Sequence, residues 1–355
     1  MDSSIQHGFA DFSRINLIGT ATPLQRATGV ERHLRREGIE VGVYLKREDL
    51  TPLGGGGNKL RKLQYLMAEI LQSGHDTVVT FGGIQSNHAR LTAAVCAALK
   101  VECHLVLTQE VEIDTVDYQH NGNRLLNQIF GANSHVLPRG SSKKIFADEL
   151  VERLFAAGKR PAVIPTGGST PLGAIGYAEC AAEISAQASV AGLNFKRIIV
   201  PNGSSGTQAG LIAGWTASNG DPGIIHGFAV MEGAERCKVQ TSDLVSSTLD
   251  FIGLGSAVPA SVNVSDTQLG AAYGQPTASM REALQLLART EGLLLDPVYS
   301  GKAFAGMLDQ LRHGELAAGD DLLFVMTGGV HGLFAYQSTL GSAWDDEAGE
   351  VGDSN

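Results

Sequence analysis

Long hydrophobic runs are missing from this sequence. A membrane-spanning helix needs roughly 18 consecutive apolar residues, and no stretch of the 355-residue chain approaches that length. The first residues, MDSSIQHGFADFSR, also lack the basic segment followed by an apolar core that a signal peptide has. We therefore expect a cytoplasmic protein without a membrane partner.

Cysteine is scarce, and its spacing is not that of a metal site. The four cysteines form no CxxC pair and no zinc-binding pattern. Cys96 falls in an apolar helical stretch and Cys103 in a predicted strand, which is typical of buried thiols. The sequence therefore predicts no metal.

Positive charge is also in short supply. The chain has 27 Lys and Arg against 37 Asp and Glu, a formal net charge of −10, which argues against nucleic acid as a partner. The last eleven residues, DDEAGEVGDSN, carry five acids and no base. We predict that the segment 341–355 is a disordered, solvated tail.

Short apolar runs alternate with amphipathic stretches along most of the chain. We predict strands at 41–46, 77–81, 102–107, 134–137, 161–164, 197–201, 224–230 and 321–326. We predict helices at 59–73, 86–99, 118–130, 143–158, 172–190, 206–218, 278–290, 301–313 and 331–340. Such alternation places parallel strands in sheets that helices cover on both faces. The sequence therefore predicts an α/β fold, with a domain junction near residue 164.

Glycine is abundant, and much of it lies in five polar turns at the predicted ends of strands. These turns are 54–62, 82–88, 167–170, 202–210 and 327–332. Glycine lets backbone N–H groups approach a ligand closely, and a helix that follows such a turn favours an anion at its N-terminus. One such turn is weak evidence, but five indicate a large anionic ligand held by the backbone.

The kind of anion can be narrowed by the motifs that are absent. No turn has the GxxxxGK[ST] pattern of a nucleotide-binding loop, and 202–210 does not have the GxGxxG spacing of a dinucleotide site. The small, hydroxyl-rich loop 203–207 suits a terminal phosphate monoester. An ordinary glycine-rich turn between strand and helix remains the alternative.

Two lysines stand at the start of the first long predicted helix. Lys59 and Lys62 are three residues apart and share one helix face. Most such pairs are simply solvated, and that alternative stays open. These two follow four glycines and an asparagine, which suits a close-packed ligand better than an ordinary helix start. A lysine made reactive by burial and neighbouring charge can form an imine with a carbonyl cofactor.

Eight motifs of the chain can be read as a set: LKREDLTPLGGGGNKLRKLQYL, GGIQSNHARLTAAV, NGNRLLNQIFGA, PTGGSTPLGAIGY, NGSSGTQAGL, AAYGQPT, GLLLDPVYSGKAFAG and TGGVHGLFAY. Together they resemble the tryptophan-synthase-β-like pyridoxal-phosphate enzymes, in the branch that contains D-cysteine desulfhydrase, L-cysteate sulfo-lyase and 1-aminocyclopropane-1-carboxylate deaminase. The similarity runs from about Leu17 to Tyr336. It implies pyridoxal 5′-phosphate as cofactor, a small amino acid as substrate and a homodimer.

The resemblance also implies an architecture of two domains, each with an open twisted parallel sheet covered by helices. The larger, cofactor-binding domain would comprise 1–52 and 165–340. The smaller α/β domain, 53–164, would be inserted into it.

Roles for individual residues follow from the same resemblance. The residues expected to hold the cofactor are Lys59 by a covalent bond, Asn87 at its 3′-oxygen, Ser300 and Thr327 near its ring, and Lys62, Gly203, Ser204, Ser205, Gly206 and Thr207 at its phosphate. The residues expected to contact the substrate are Gln85, Ser86, His88, Tyr273 and Tyr299. Lys59, Ser86 and Tyr299 would form the catalytic set. His88 could instead only cap or pack at a helix start.

Two positions separate the branches of this family. The deaminase pattern has Glu after the pocket tyrosine and Leu before the late Gly-Gly, where this chain has Ser300 and Thr327. A carboxylate opposite the pyridine nitrogen keeps it protonated and strengthens the electron sink. Opening a cyclopropane demands more of that sink than expelling a good leaving group. Ser300 and Thr327 therefore favour β-elimination, with D-cysteine giving sulfide, pyruvate and ammonia.

Other functions stay open because the chain departs from the desulfhydrase pattern in two places. The late loop begins at Met326 and ends at His331 where the family usually has HTGG followed by Ala-Pro, and Leu-Gly-Gly precedes GGNK. The alternatives are a sulfo-lyase acting on L-cysteate, the ring-opening deaminase, which Ser300 disfavours, and an inactive relative that only binds the cofactor. Retention of Lys59, Asn87 and the loop 203–207 argues against the inactive relative.

Overall fold

A computed structural model describes residues 11–255 and 262–340 of the chain. The predicted tail at 341–355 lies outside these described residues. The strands are β1 (Leu24–Arg26), β2 (Gly42–Arg47), β3 (Thr77–Gly83), β4 (Glu102–Thr108), β5 (Asn133–Leu137), β6 (Pro161–Ile164), β7 (Phe195–Asn202), β8 (Ile225–Ala229), β9 (Asn263–Ser265) and β10 (Asp321–Met326). The α-helices are α1 (Thr28–Arg36), α2 (Lys59–Gln72), α3 (Asn87–Leu99), α4 (Val116–His120), α5 (Gly122–Ile129), α6 (Lys143–Ala156), α7 (Pro171–Ala191), α8 (Gly206–Ala217), α9 (Ala234–Phe251), α10 (Ala278–Glu291), α11 (Ser300–Arg312) and α12 (Gly332–Ala335).

The strands form two sheets, and the α/β prediction is confirmed. The larger sheet has the order β1-β2-β10-β7-β8-β9, and the smaller has the order β5-β4-β3-β6. β1 pairs with β2 in the antiparallel sense, and the other described pairings are parallel. Every predicted strand exists within two residues of its predicted bounds.

The helix predictions need two corrections. The helix predicted at 118–130 is two helices, α4 and α5, because the chain turns at Asn121 and Gly122, where Gly122 has a positive φ of 59°. The helix predicted at 331–340 is interrupted at Tyr336: residues 332–335 form the short α12, and residues 337–340 are helical again. The strands β1 and β9 and the helices α1 and α9 were not among the predicted elements.

A buried ionic cluster fixes helix α2 against the larger sheet. Glu48, directly after β2, accepts hydrogen bonds from Arg61 at 2.6 and 2.8 Å and from Tyr177 of α7 at 3.0 Å. Glu183 of α7 pairs with Arg61 and with Lys46 of β2. The opposite face of α2 packs in the apolar core of the smaller sheet. Helix α2 is therefore held by both sheets.

The carboxyl ends of strands from both sheets meet at one cavity. It is lined by residues that follow β3, β4 and β6 of the smaller sheet and β7 and β10 of the larger one. Ligands of open α/β sheets bind beyond the carboxyl ends of the strands. No helix in the described part of the chain combines the length and apolar character that crossing a membrane requires.

Candidate active site

The turn that delivers Lys59 consists of four successive glycines. Gly54–Gly57 all have positive φ, a conformation that side chains rarely adopt. A Cβ on Gly56 would collide with the backbone carbonyl of Asp49. Thr51 Oγ1 accepts the Gly57 N–H at 2.7 Å. The turn is thereby closed, and α2 begins with Lys59 at the cavity.

Arg90 holds this turn from the interior. Its guanidinium donates to the carbonyl oxygens of Gly54 and Gly56, the latter at 3.0 Å, and the residue is fully buried. Burial lowers the pKa of Arg90 to about 10, so the side chain stays cationic at neutral pH. The sequence motifs contain Arg90, but it was not among the predicted site residues.

Lys59 has the properties of a reactive amine. Its Nζ donates to Asn58 Oδ1 at 3.1 Å. Burial lowers the pKa of Lys59 from 10.5 to about 8; Asp296 opposes the shift, and the Arg90 cation adds to it. The neutral amine is the form that attacks a carbonyl carbon.

A second feature of the cavity is a cradle for an anion at the start of α8. Ser204 and Ser205 precede the helix, and Ser205 has a positive φ of 64°. Lys62 Nζ reaches this loop and donates to the Gly167 carbonyl at 3.1 Å and to Ser169 Oγ at 3.3 Å, which are neutral acceptors. Burial, with the nearby Lys59, holds the pKa of Lys62 well below its ordinary value.

Close packing explains the glycine at the start of α8. A Cβ on Gly206 would lie 2.6 Å from Lys62 Nζ and from Ser169 Oγ. Asn58 Nδ2 donates to Thr207 Oγ1 at 3.0 Å, which ties the anion loop to the lysine turn. The free N–H groups of a helix N-terminus and a buried ammonium ion together suit a phosphate group.

The start of α3 supplies three polar side chains to the cavity. Ser86 Oγ caps the helix by accepting the Ala89 N–H at 3.1 Å, and its hydroxyl proton remains available. Asn87 Oδ1 accepts from Asn123 at 2.9 Å, which turns Asn87 Nδ2 toward Gly329. Asn87 therefore presents a donor at the cavity, as its predicted role requires.

His88 has one nitrogen engaged and one without a partner. Thr80 Oγ1 donates its proton to the Ile164 carbonyl at 2.8 Å, so it accepts from His88 Nε2, also at 2.8 Å. His88 Nδ1 is then a buried acceptor with no partner in the described structure. Burial holds the pKa of His88 well below its ordinary value, so the ring is neutral.

Gln85 does not reach the cavity. Its amide donates to the backbone carbonyls of Tyr118 and Asn121 at 2.6 and 3.0 Å, and its Oε1 accepts the Asn123 N–H at 2.9 Å. The side chain is thus occupied in holding the segment before α5. Gln85 does not line the cavity, and its contact with the substrate stays a prediction.

Tyr273 and Tyr299 meet at the cavity. Their hydroxyl oxygens are 2.6 Å apart, and their rings pack edge to face with centroids 6.1 Å apart. Burial raises the pKa of both phenols above the ordinary value. Both are therefore neutral hydroxyls at physiological pH, able to orient a ligand or donate a hydrogen bond.

Ser300 has partners other than those its predicted role requires. Its hydroxyl donates to Asp296 Oδ2 at 2.6 Å and accepts the Asp296 N–H at 2.8 Å, and the residue does not line the cavity. Asp296 also accepts the backbone N–H groups of Val298, Tyr299 and Ser300. Ser300 thus supports a buried carboxylate beneath the cavity, and its place near the cofactor ring stays a prediction.

The cavity brings together residues that are far apart in sequence. Of the predicted site residues, it is lined by Lys59, Ser86, Asn87, His88, Gly203, Ser204, Ser205, Thr207, Tyr273, Tyr299 and Thr327. Lys62, Gln85, Gly206 and Ser300 lie behind this lining. Glu110 and Lys143 line the cavity and were not predicted. Their positions just beyond β4 and at the start of α6 were the signal that could have indicated them.

These residues fit pyridoxal phosphate. Lys59 offers the amine, Asn87 a donor, and Lys62 with the loop 203–207 the phosphate cradle. A Cβ on Gly203 would lie 3.0 Å from the Tyr299 ring and the Met231 sulfur, so this position of the loop has little room for a side chain.

Comparison with known proteins points to the same chemistry. The chain is 41% identical over 333 residues to a D-cysteine desulfhydrase of Yersinia enterocolitica serotype O:8 / biotype 1B, which covers 94% of this chain and 98% of that relative. It is 40% identical over 331 residues to one of Salmonella choleraesuis, covering 93% and 98%. A solved structure described as an ACC deaminase homologue superposes with a TM-score of 0.85 at 35% identity and covers 96% of this chain and 99% of that one.

The family-level match spans most of the chain. The family described as pyridoxal-phosphate dependent enzymes matches residues 15–328, a range that contains Lys59, Lys62, Asn87, the loop 203–207 and Thr327. The protein therefore belongs to the pyridoxal-phosphate-dependent enzymes.

Proposed function

We propose that this enzyme is a lyase that converts D-cysteine and water to sulfide, pyruvate and ammonia. The observation that carries the proposal is the joining, in one cavity, of an amine whose pKa is about 8 and a phosphate cradle. The relatives from Yersinia and Salmonella, similar over nearly their whole length, support D-cysteine as the substrate.

Each residue of the cavity has a part in this reaction. Lys59 would hold the cofactor covalently, and Lys62 with Ser204, Ser205 and Thr207 would hold its phosphate. When bound, pyridoxal phosphate supplies an electron sink that stabilises negative charge at the substrate Cα. The amine of Lys59, when it is not bonded to the cofactor, would remove the proton from the substrate Cα.

The polar groups around the substrate stay neutral while this happens. The hydroxyl proton of Ser86 and the paired hydroxyls of Tyr273 and Tyr299 orient the amino acid and exclude water. His88 is neutral, and its buried Nδ1 accepts a hydrogen bond from a ligand instead of donating a proton. The β-substituent then leaves from the adjacent carbon.

A second candidate is the ring-opening deamination of 1-aminocyclopropane-1-carboxylate. The observation that favours it is the likeness to the solved ACC deaminase homologue. The sequence favours elimination, because Ser300 and Thr327 stand where the deaminase pattern has Glu and Leu. The structure adds that the Ser300 hydroxyl is committed to Asp296.

A pyruvate-release screen tests the proposal. Purified enzyme is supplied with D-cysteine, L-cysteine, β-chloroalanine, L-cysteate, serine and the cyclopropane amino acid, and pyruvate, sulfide, sulfite and 2-oxobutyrate are measured. We expect sulfide and pyruvate in equal amounts from D-cysteine, and none from the Lys59→Ala variant. Turnover of the cyclopropane substrate with little product from D-cysteine would select the second candidate.

The organisation of the chain is a further part of the proposal. The two domains would be 1–52 with 165–340, and 53–164; in support, β3–β6 form the smaller sheet and the remaining strands the larger one. A cytoplasmic homodimer also remains a proposal. Four buried free cysteines are typical of a reducing compartment, and light scattering of the purified enzyme would test the dimer.

A further inference from the structure

Three charged side chains are found among the described residues that line the cavity. They are Lys59, Glu110 and Lys143. The proposed function places Lys59 at the substrate Cα, and His88 is neutral. Glu110 and Lys143 are therefore the charged side chains of this lining that are left to act on the β-substituent. The sequence did not indicate either residue, and the proposed function assigns neither a role.

Glu110 and Lys143 neutralise one another. Lys143 Nζ donates to Glu110 Oε1, and Thr108 Oγ1 donates to the same oxygen at 3.0 Å. The second oxygen, Oε2, lies 3.7 Å from the place that a Cβ on Gly83 would take. Gly83 and Glu110 both line the cavity, so the carboxylate stands at its wall.

Without Glu110, the same corner would attract an anion. Lys143 is the first residue of the fourteen-residue helix α6, whose first turn contains no acid. A helix N-terminus and an ammonium ion both favour negative charge. Glu110, carried on a different element, supplies the negative charge that occupies this corner.

We propose that Glu110 selects the substrate by the charge of its β-substituent, because it occupies Lys143, the cation that an anionic substituent would need. This inference rests on the proposed function and deepens it. A thiol is neutral over most of the physiological pH range, whereas a sulfonate is always anionic and requires a free cation. The pair therefore admits cysteine and disfavours cysteate, whose elimination with water would give sulfite, pyruvate and ammonia.

The test compares kcat/KM for D-cysteine and for both enantiomers of cysteate in Glu110→Gln. Loss of the carboxylate frees Lys143 to pair with an anionic β-substituent. We expect the ratio of cysteate to D-cysteine to rise at least about tenfold, which corresponds to about 1.4 kcal/mol. The double variant Glu110→Gln/Lys143→Met should lose this gain.

Two neighbouring surface residues provide matched controls. Glu112 pairs with Arg139, and Lys144 pairs with Asp148; neither lines the cavity. Glu112→Gln and Lys144→Met should leave the ratio unchanged. An unchanged ratio in Glu110→Gln with its visible cofactor band intact would overturn the proposal. A gain in the ratio that persists in the double variant, without Lys143, would also overturn it. So would an equal loss of kcat/KM for both substrates in Lys143→Met, because Lys143 would then contact the α-carboxylate that both substrates share.

Binding measurements keep the proposal testable in two further situations. If Glu110→Gln does not fold, Lys143→Met alone should weaken inhibition by cysteate at least about tenfold and leave inhibition by D-serine unchanged. Equal effects of Lys143→Met on the two inhibitors would overturn the proposal. If the wild type makes no pyruvate from D-cysteine, the proposed function fails. Spectral titration with D-serine and cysteate would then still show whether Glu110→Gln binds cysteate more tightly while its affinity for D-serine is unchanged. If the variant does not bind cysteate more tightly, the inference is overturned.

Discussion

The reactivity of the Lys59 amine depends on the residues that surround it. Because burial lowers its pKa from 10.5 to about 8, the neutral fraction of this amine at pH 7 is on the order of 300 times that of an ordinary lysine. The Arg90 cation adds to this effect while it holds the glycine turn. One buried arginine thus shapes both the position and the protonation of Lys59.

The lowered pKa predicts how the apoprotein captures its cofactor. Only the neutral amine reacts, so the rate of capture should rise as pH rises through the pKa. We expect a roughly fivefold increase between pH 7 and pH 8 and a plateau above pH 9. Stopped-flow absorbance at a fixed cofactor concentration measures this rate. A rate that keeps rising about tenfold per pH unit to pH 10 would mean an ordinary lysine.

Lys62 should matter for affinity and not for the chemical step. Lys62→Met would remove the charge-assisted contact that we propose with the cofactor phosphate, worth about 1.5–3 kcal/mol, so we expect cofactor binding to weaken roughly ten- to a hundredfold. The apoprotein should be as stable as the wild type or more so, because the variant removes a buried amine that has only neutral acceptors and whose burial disfavours its charged form.

Lys196, exposed on strand β7, provides the matched control. Lys196→Met should leave cofactor affinity unchanged. A lower thermal midpoint of the Lys62→Met apoprotein with unchanged affinity would assign Lys62 a structural role instead.

At the scale of elements, the loop before α11 is organised by one carboxylate. Asp296 accepts three backbone N–H groups and the Ser300 hydroxyl, and this arrangement places Tyr299 at the cavity. Burial raises the pKa of Asp296, and these hydrogen bonds oppose the rise. The conformation of the loop before α11 therefore depends on the hydroxyl of Ser300.

Ser300→Ala tests this dependence. We expect a loss of about 1.5–3 kcal/mol in stability, the usual range for a hydrogen bond to a charged group, together with a lower kcat from a less fixed Tyr299. Thermal midpoint, kcat and the visible spectrum are measured together, with Ser300→Thr as the conservative control. A changed cofactor spectrum with an unchanged thermal midpoint would instead mean that Ser300 contacts the ring nitrogen of the cofactor.

The sequence predicted those elements whose apolar residues are regularly spaced. The sequence did not predict helix α9, because its buried stripe contains Cys237, Thr241 and Thr248 beside Val245 and Leu249. A search for apolar periodicity does not find such a stripe. The split between α4 and α5 depends on a local turn at Gly122. Motifs indicated Lys59 and the loop 203–207, whereas Glu110 and Lys143 became neighbours only through tertiary packing.

On the scale of the whole molecule, α2 connects the two sheets. Its apolar face belongs to the core of the smaller sheet, and Arg61 joins Glu48 after β2 of the larger one. The position of Lys59 relative to the phosphate cradle therefore depends on a buried ion pair on the far side of the helix.

Glu48→Gln should be strongly destabilising. It leaves the Arg61 cation buried without its main partner, a change that typically costs about 3–5 kcal/mol. Urea denaturation should show a lower midpoint, partly restored in the double variant Glu48→Gln/Arg61→Met. As a control, Glu179→Gln breaks a pair with the half-exposed Arg14 and should cost at most about 1 kcal/mol. Equal effects of the two single variants would contradict the role given to the cluster.

The central claim is that Lys59, at the meeting point of both sheets, is the residue that holds pyridoxal phosphate. Borohydride treatment of the holoenzyme fixes the bond between the cofactor and its lysine, and mass spectrometry of the digested protein identifies that lysine. We predict a single modified peptide with the mass increase on Lys59. Modification on Lys62, or no modification with the visible band retained, would contradict the claim.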